Sequence, residues 1–177
     1  MDDLRYPIGP YQAPPLTAAA RRNHLQDLAG GVTLLRQAIK GLTPAQLDTP
    51  YRPGGWTVRQ VVHHLPDSHM NAYIRCRMAL TEDKPTIKPY DEARWAELED
   101  ARRGPLEVSF KLLDAIHLRW GALFRSLTDD DWKRVYIHPE NGKVTVEGAL
   151  ALYAWHTRHH TAHITSLRER SGWGLAT

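Results

Sequence analysis

Apolar side chains recur at three- and four-residue spacing along four long segments of the chain, and this pattern predicts four amphipathic helices. We expect them over about residues 16–39, 57–82, 106–127 and 144–170. Strand signals are few, and the turn residues at 138–143 predict one short hairpin. The pattern therefore favours an all-α fold, a four-helix bundle with long inter-helix loops.

Local signals refine these boundaries. Thr57 and Gln60 form a capping-box sequence, which predicts the start of the second helix. Pro66 lies inside that helix, where it removes one main-chain hydrogen bond and predicts a kink. Gly30 and Gly31 weaken the middle of the first helix, which indicates either a kink or close packing at that point.

Two segments lack helical periodicity. Residues 1–15 contain four prolines and predict an extended N-terminal arm. Residues 83–104 form a long connection, and connections of this length in compact domains often carry function. We expect this segment, through Tyr90 and Trp95, to act as a lid that faces the substrate.

Composition narrows the class of protein. A chain of 177 residues predicts a single domain over residues 1–177. Cys76 is the only cysteine, which excludes internal disulfides and agrees with a reducing compartment. The net charge is +3 and basic residues form no stripe, so we expect no nucleic-acid partner. No apolar run reaches the ~20 residues that span a bilayer, and the N-terminus lacks a signal-peptide pattern. We therefore expect a cytoplasmic protein with no membrane contact.

Histidine is the residue whose distribution indicates chemistry. Seven of the ten histidines fall in two short windows, and core packing gives no reason to cluster imidazoles. The first window lies on the second predicted helix and the second window on the fourth. Their members are His63, His64 and His69, then His156, His159, His160 and His163.

Spacing alone leaves the ligand pair on the fourth helix open. Histidines four apart lie on one helical face and can hold one metal ion between them. The pairs His159/His163 and His156/His160 have that spacing, and His160 and His163 are also neighbours. Leu152 and Trp155 share a face with His159 and His163, which favours this pair as the one that points inward.

The second helix adds either His63 or His64. Three imidazoles from two facing helices leave coordination positions open, as a catalytic site requires, whereas a structural zinc site is closed by a fourth protein ligand. Imidazole clusters bind Zn, Ni, Cu or Fe(II). The pattern therefore predicts an open metal site, and spacing does not select the metal.

Several segments of the sequence resemble the YfiT branch of the DinB/YfiT-like metalloenzymes. The resemblance runs through almost the whole chain, and its motifs are long enough to be specific. They are residues 6–9 (YPIG), 51–65 (YRPGGWTVRQVVHHL), 67–71 (DSHMN), 88–91 (KPYD), 138–140 (HPE) and 153–164 (YAWHTRHHTAHI).

The resemblance implies a DinB-like four-helix bundle with up-down-down-up helices, assembled as a homodimer. It also implies one divalent ion per subunit, Zn or Ni, with His64, His159 and His163 as its ligands. Water fills the remaining coordination positions in that arrangement. We further expect Gln60 and the nearby Asp67 and Asn71 to orient the ligand imidazoles.

The activity that the resemblance implies is a metal-dependent hydrolase or a thiol S-transferase acting on a small electrophilic substrate. The metal would activate water in the first case and a low-molecular-weight thiol of the bacillithiol type in the second. The catalytic nucleophile is then water or thiol rather than a side chain. A non-catalytic, metal-binding or ligand-sensing bundle is the alternative.

Overall fold

The computed structural model describes residues 3–174, and four long helices make up most of it. Four one-turn helices and one two-stranded antiparallel hairpin connect them. In chain order the elements are α1 (Ala18–Ile39), α2 (Pro44–Leu47), α3 (Val58–Thr81), α4 (Glu92–Trp95), α5 (Glu99–Arg103), α6 (Leu106–Arg125), α7 (Asp129–Trp132), β1 (Val135–His138), β2 (Gly142–Thr145) and α8 (Val146–Arg170).

The long helices form a bundle with the expected up-down-down-up directions. Helices α1 and α8 run parallel, as do α3 and α6, whereas α3 and α8 are antiparallel. The contacts that fix these directions are Gly31–Thr157 and Ala38–Arg168 for the first pair, His63–Ser109 and His69–His117 for the second, and His64–His160 and His69–Tyr153 for the third. The predicted bundle is thus confirmed.

Local sequence signals account for the start of α3. Thr57 caps the helix, and its side chain and that of Gln60 satisfy each other's main-chain N–H groups in a capping box. The helix then continues without interruption through the buried Pro66 to Thr81. Position Gly31 of α1 shows close packing, because a Cβ there would lie 2.6 Å from Cγ2 of Thr157 on α8.

The bundle interior has two apolar clusters with a polar layer between them. One cluster packs the C-terminal half of α3 around Trp120 and Phe124, and the other packs its N-terminal half around Leu35 and Leu65. Buried imidazoles occupy the middle of α3 and the facing part of α8. The fold therefore places the histidines inside the bundle rather than on its surface.

The segments between the long helices are more ordered than plain loops. Residues 83–104 contain the two short helices α4 and α5, and Thr86 forms a bridge with Ile137 on the hairpin. The N-terminal arm crosses the outer side of α8, where Tyr11 packs against Trp155. Within residues 3–174 no helix is long and apolar enough to span a membrane.

Candidate metal centre

Three imidazoles converge between α3 and α8. Nε2 of His156 lies 3.4 Å from Nε2 of His64 and 3.1 Å from Nε2 of His160. His64, His156 and His160 each offer one ring nitrogen, and within the described residues these three nitrogens all lie within 4.8 Å of one another. Helix α3 thus supplies one nitrogen and helix α8 supplies two, and all three point to the same place.

Helix geometry explains why these three meet. His156 and His160 are four residues apart on α8, so their side chains lie on one face, one turn apart. That face turns toward α3, where His64 lies opposite, with ring centroids 5.3 Å and 4.9 Å from His156 and His160. The indole of Trp56 packs on His64 at 4.6 Å and covers one side of the cluster.

Burial keeps the cluster uncharged near neutral pH. It lowers the pKa of His64 to about 4. Burial likewise lowers the pKa of His156 and of His160, and the neighbouring imidazoles lower both further. A neutral imidazole carries a free lone pair on one nitrogen, which is the form that binds a metal.

The donor set fits a divalent ion. With Zn–N bonds of 2.0–2.1 Å in tetrahedral geometry, ligand nitrogens lie about 3.3 to 3.4 Å apart. The two Nε2–Nε2 distances of 3.4 Å and 3.1 Å are close to that separation. When the lone pairs of neutral imidazoles point at one another, they repel and form no hydrogen bond. A cation between the nitrogens turns this repulsion into attraction. The three histidines therefore suit one ion with coordination positions left over.

A second histidine pair stands behind His156. Nδ1 of His156 faces Nε2 of His69 at 3.4 Å, and Nδ1 of His69 faces Nε2 of His117 at 2.9 Å. If Nε2 of His156 is the metal-binding atom, its Nδ1–H donates to His69, which in turn donates to His117. All three rings can then stay neutral, and the tautomer of His156 is fixed.

His163 plays the corresponding part behind His160. Its Nε2–H donates to the main-chain oxygen of Arg5 over 2.9 Å, so Nδ1 is left as an acceptor. That Nδ1 lies 3.3 Å from Nδ1 of His160, which can donate to it. Both nitrogens of His163 are thus engaged, and the N-terminal arm holds its ring.

The structure does not bring the whole predicted ligand set together. His64 is in the cluster, but His159 and His163 are not, and in the part of the chain described no metal-sized group includes either. His159 instead stacks on Trp155 with ring centroids 4.3 Å apart and lies near Tyr6. The prediction of this pair assumes that Trp155 faces the core, but the N-terminal arm covers Trp155 instead.

The face of α8 that packs into the bundle carries small and aromatic side chains instead. Ala149, Tyr153 and Ala154 are buried there, and this face continues into His156 and His160. The pair at these two positions was among the alternatives that spacing allowed. Apolar phasing does not select it because two faces of α8 are covered, one by the bundle and one by the arm.

Other expected site residues lie elsewhere. His63 is turned away from the cluster, with Nδ1 2.7 Å from Oγ of Ser109 and Nε2 3.1 Å from the oxygen of Gly104. Gln60 donates to the main-chain oxygen of Ala96, so it anchors the 83–104 segment and orients no imidazole. The Asn71 side chain donates to the main-chain oxygen of Asp67 rather than to a histidine.

A cavity of about 360 Å³ opens beside the cluster. His64, His156 and His160 form one wall of it, which gives a small molecule direct access to the imidazoles. The other lining residues come from the loop before α3, from α3 itself, the 83–104 segment, the hairpin and α8. They are Trp56, Ser68, Arg75, Pro89, Tyr90, Glu92, Tyr136, His138, Glu140, Asn141, Val144, Leu152 and Tyr153.

The expected lid is only partly at this cavity. Tyr90 lines it and packs against Trp95 with centroids 4.6 Å apart, whereas Trp95 itself is not among the lining residues. Burial raises the pKa of the Tyr90, Tyr136 and Tyr153 hydroxyls, so at neutral pH all three are protonated and able to donate hydrogen bonds.

Comparison with known proteins gives matches over most of the chain. The family model described as "DinB superfamily" matches residues 28–164. A Bacillus cereus B4264 protein named "Putative metal-dependent hydrolase" is 53% identical over 174 residues, which cover 98% of this chain and 100% of that protein. A protein of the same name from Bacillus thuringiensis subsp. konkukian shows the same identity and coverage.

Solved structures share the fold. YfiT from Bacillus subtilis, described as "a probable metal-dependent hydrolase with an unusual four-helix bundle topology", is 49% identical with a TM-score of 0.94 and coverage of 98% of this chain and 100% of that chain. TT2238, a four-helix bundle protein, is 20% identical with a TM-score of 0.56, over 80% of this chain and 94% of that one. The second similarity concerns the fold alone.

Proposed function

This chain belongs to the DinB superfamily, and from that premise we propose that it is a metal-dependent hydrolase of a small molecule, with one Zn or Ni ion held by His64, His156 and His160. The observation that carries the proposal is the convergence of three Nε2 atoms on one point at the wall of an open cavity. The names of the relatives support the same activity. The ligand pair His159/His163, implied by resemblance, gives way to His156/His160 because only the latter pair faces His64.

In this proposal the side chains of the protein bind the ion, orient the ligand rings and contact the substrate. A divalent ion, when bound, supplies a Lewis acid that lowers the pKa of water or a thiol and polarises a carbonyl. His69 and His163 hold the rings of His156 and His160 through their Nδ1 atoms. Trp56 excludes water from one side of His64, and the protonated tyrosines of the cavity donate hydrogen bonds to the substrate.

Metal content is the first test of the proposal. Protein purified without chelator should contain about one equivalent of Zn or Ni per chain, or take up one equivalent on soaking. Metal-loaded protein should hydrolyse an activated ester such as 4-nitrophenyl acetate, and metal-free protein should lose that turnover and regain it when the ion returns. A chain that neither retains nor regains metal would overturn the proposal.

A related assay distinguishes hydrolysis, thiol transfer and a non-catalytic bundle from one another. Adding bacillithiol together with a generic electrophile distinguishes transfer from hydrolysis, because a transferase forms product only when the thiol is present. Equal product with and without thiol supports the hydrolase. Stoichiometric metal without turnover of either kind would instead support a metal-binding or sensing bundle. Assembly as a homodimer stays a prediction, and the mass of the protein in solution tests it.

A further inference from the structure

A buried arginine without an acidic partner lies in the wall of the cavity beside the histidine cluster. Arg75 of α3 is only 7% exposed. No Asp or Glu of residues 3–174 forms an ion pair with it, although ten other ion pairs involve the arginines and lysines of this part of the chain. Arg75 thus differs from the paired surface arginines.

The guanidinium also has spare hydrogen-bonding capacity. Its Nη2 donates to the main-chain oxygen of Lys88 over a long 3.4 Å. The charge acts on the hydroxyl of Tyr153, whose pKa is raised by burial and partly lowered again by Arg75. A guanidinium has five N–H donors, and these two neighbours leave donors free toward the cavity.

An unpaired buried charge is costly unless something neutralises it. Charged side chains inside proteins are normally paired, because removal from water costs several kcal/mol per ion in typical cases. The carboxylates that line the cavity, Glu92 and Glu140, are exposed and form no ion pair with Arg75. The remaining counter-charge that the cavity can accept is one on a ligand.

We propose that Arg75 binds a carboxylate of the small-molecule substrate, and that the cavity therefore selects carboxylate-bearing substrates whose reacting group points to the histidine cluster. The proposal rests on the proposed function for the role of the metal. Arginine is well matched to a carboxylate because its planar fork can form two parallel hydrogen bonds with the two oxygens.

The placement of Arg75 separates the two ends of such a substrate. His64 and Arg75 are eleven residues apart on α3, a rise of about 16 Å along the helix. Long helical side chains lean toward the helix N-terminus, which brings the guanidinium back toward His64. Tyr153 bridges the interval, since its ring centroid lies 5.6 Å from that of His156. A substrate anchored at Arg75 thus extends past Tyr153 to the imidazoles.

A carboxylate fits this cavity better than a phosphate group. One guanidinium matches one negative charge, whereas a phosphate monoester carries nearly two at neutral pH. Glu92 and Glu140 at the exposed side of the cavity would repel the additional charge.

The test uses phenylacetate, its neutral isostere phenylacetamide, and phenyl phosphate as probes, titrated calorimetrically into metal-free and zinc-loaded protein. We expect metal-free wild type to bind phenylacetate at least about tenfold more tightly than phenylacetamide, as loss of charge-assisted hydrogen bonds would cause. Arg75→Met should abolish that preference, and Arg75→Lys should keep part of it. Arg77→Met removes an exposed arginine from the same helix and should change nothing.

Three results would overturn the proposal. Phenylacetate binding that needs zinc and survives Arg75→Met would show that the carboxylate binds at the metal instead. Metal-free wild type that binds phenyl phosphate more tightly than phenylacetate would also overturn it. So would metal-free wild type that binds phenylacetate and phenylacetamide equally. If Arg75→Met fails to fold, the acid–amide comparison in wild type and Arg75→Lys decides. A wild type that binds phenylacetate but no zinc would refute the proposed hydrolase and leave the carboxylate site standing.

Discussion

Nδ1 of His156 faces Nε2 of His69 at 3.4 Å, so a ring that offers Nε2 to the metal cluster is held from behind by a second, fully buried imidazole. The acceptor at His69 keeps the proton of His156 on Nδ1 and leaves Nε2 free for a metal. Partners of this kind determine the ring orientation and basicity of metal-binding histidines.

We therefore expect His69→Gln to weaken zinc binding by about tenfold to a hundredfold, as loss of such partners does in other metal sites. The measurement is zinc affinity by competition with a chromophoric chelator. His24→Gln is the matched control, because His24 is a partly buried histidine of α1 outside the cluster and should bind zinc as wild type does. Unchanged affinity in His69→Gln would contradict the orienting role.

The ligand assignment is tested by neighbouring histidines of the same helix. His156→Ala and His160→Ala each remove one nitrogen from the cluster and should abolish stoichiometric metal binding, whereas His159→Ala should retain it. Elemental analysis and circular dichroism of the purified variants give metal content and helicity. Loss of metal in His159→Ala with retention in His156→Ala would restore the pair implied by resemblance.

Acid should destabilise the metal-free protein steeply. Burial holds the pKa of His64 and of His117 at about 4, below the unfolded value of about 6.5, so the unfolded chain gains protons first as pH falls. Each such histidine adds stability that is present above pH ~6.5 and is lost at about 1.4 kcal/mol per pH unit down to the folded pKa.

Urea unfolding of metal-free protein at several pH values between 7.5 and 5 measures this slope. The variant His117→Gln removes one titrating group outside the metal cluster, so its slope should be lower by about one proton. A slope that is the same in wild type and His117→Gln would show that His117 does not carry the depressed pKa.

Asp67 has the opposite linkage. Burial first, and then the charge of Asp100, raise the pKa of Asp67 to about 6. A raised carboxyl pKa costs stability as pH rises from the unfolded value toward 6, and the full cost applies above it. Asp67→Asn should therefore be more stable than wild type at pH 8, by on the order of 1 kcal/mol after allowance for solvent screening, and similar to it near pH 4.

Thermal and urea unfolding at both pH values test this expectation. Asp83→Asn removes a carboxylate from an exposed position and should leave the difference between pH 8 and pH 4 unchanged. If Asp67→Asn is no more stable than wild type at pH 8, the ionised Asp67 carboxylate does not destabilise the folded protein.

The sequence by itself determined the elements of this protein. The apolar spacing placed all four long helices within a few residues of their observed ends, because a helical face must bury its apolar stripe wherever the rest of the chain lies. The caps at Thr57 and Thr145 are equally local, since a threonine side chain needs only the N–H groups of its own first turn.

The histidine windows were likewise visible in the sequence, and with them the expectation of an open three-imidazole site. His64 was identified through resemblance, and the fold brings it into the cluster. What spacing left open was which face of α8 turns toward α3, because four histidines in two turns point to several sides of one helix.

Only the tertiary structure decided that choice. Tyr11 of the N-terminal arm packs on Trp155, so this half-buried indole, whose spacing is typical of a core residue, is covered by the arm rather than by the bundle. The charge left unpaired at Arg75 is also invisible in the sequence, because the chain has 20 acidic residues and the sequence does not show which of them lie near Arg75 in space. Burial and pairing depend on distances between segments far apart in the chain, and no local pattern encodes those distances.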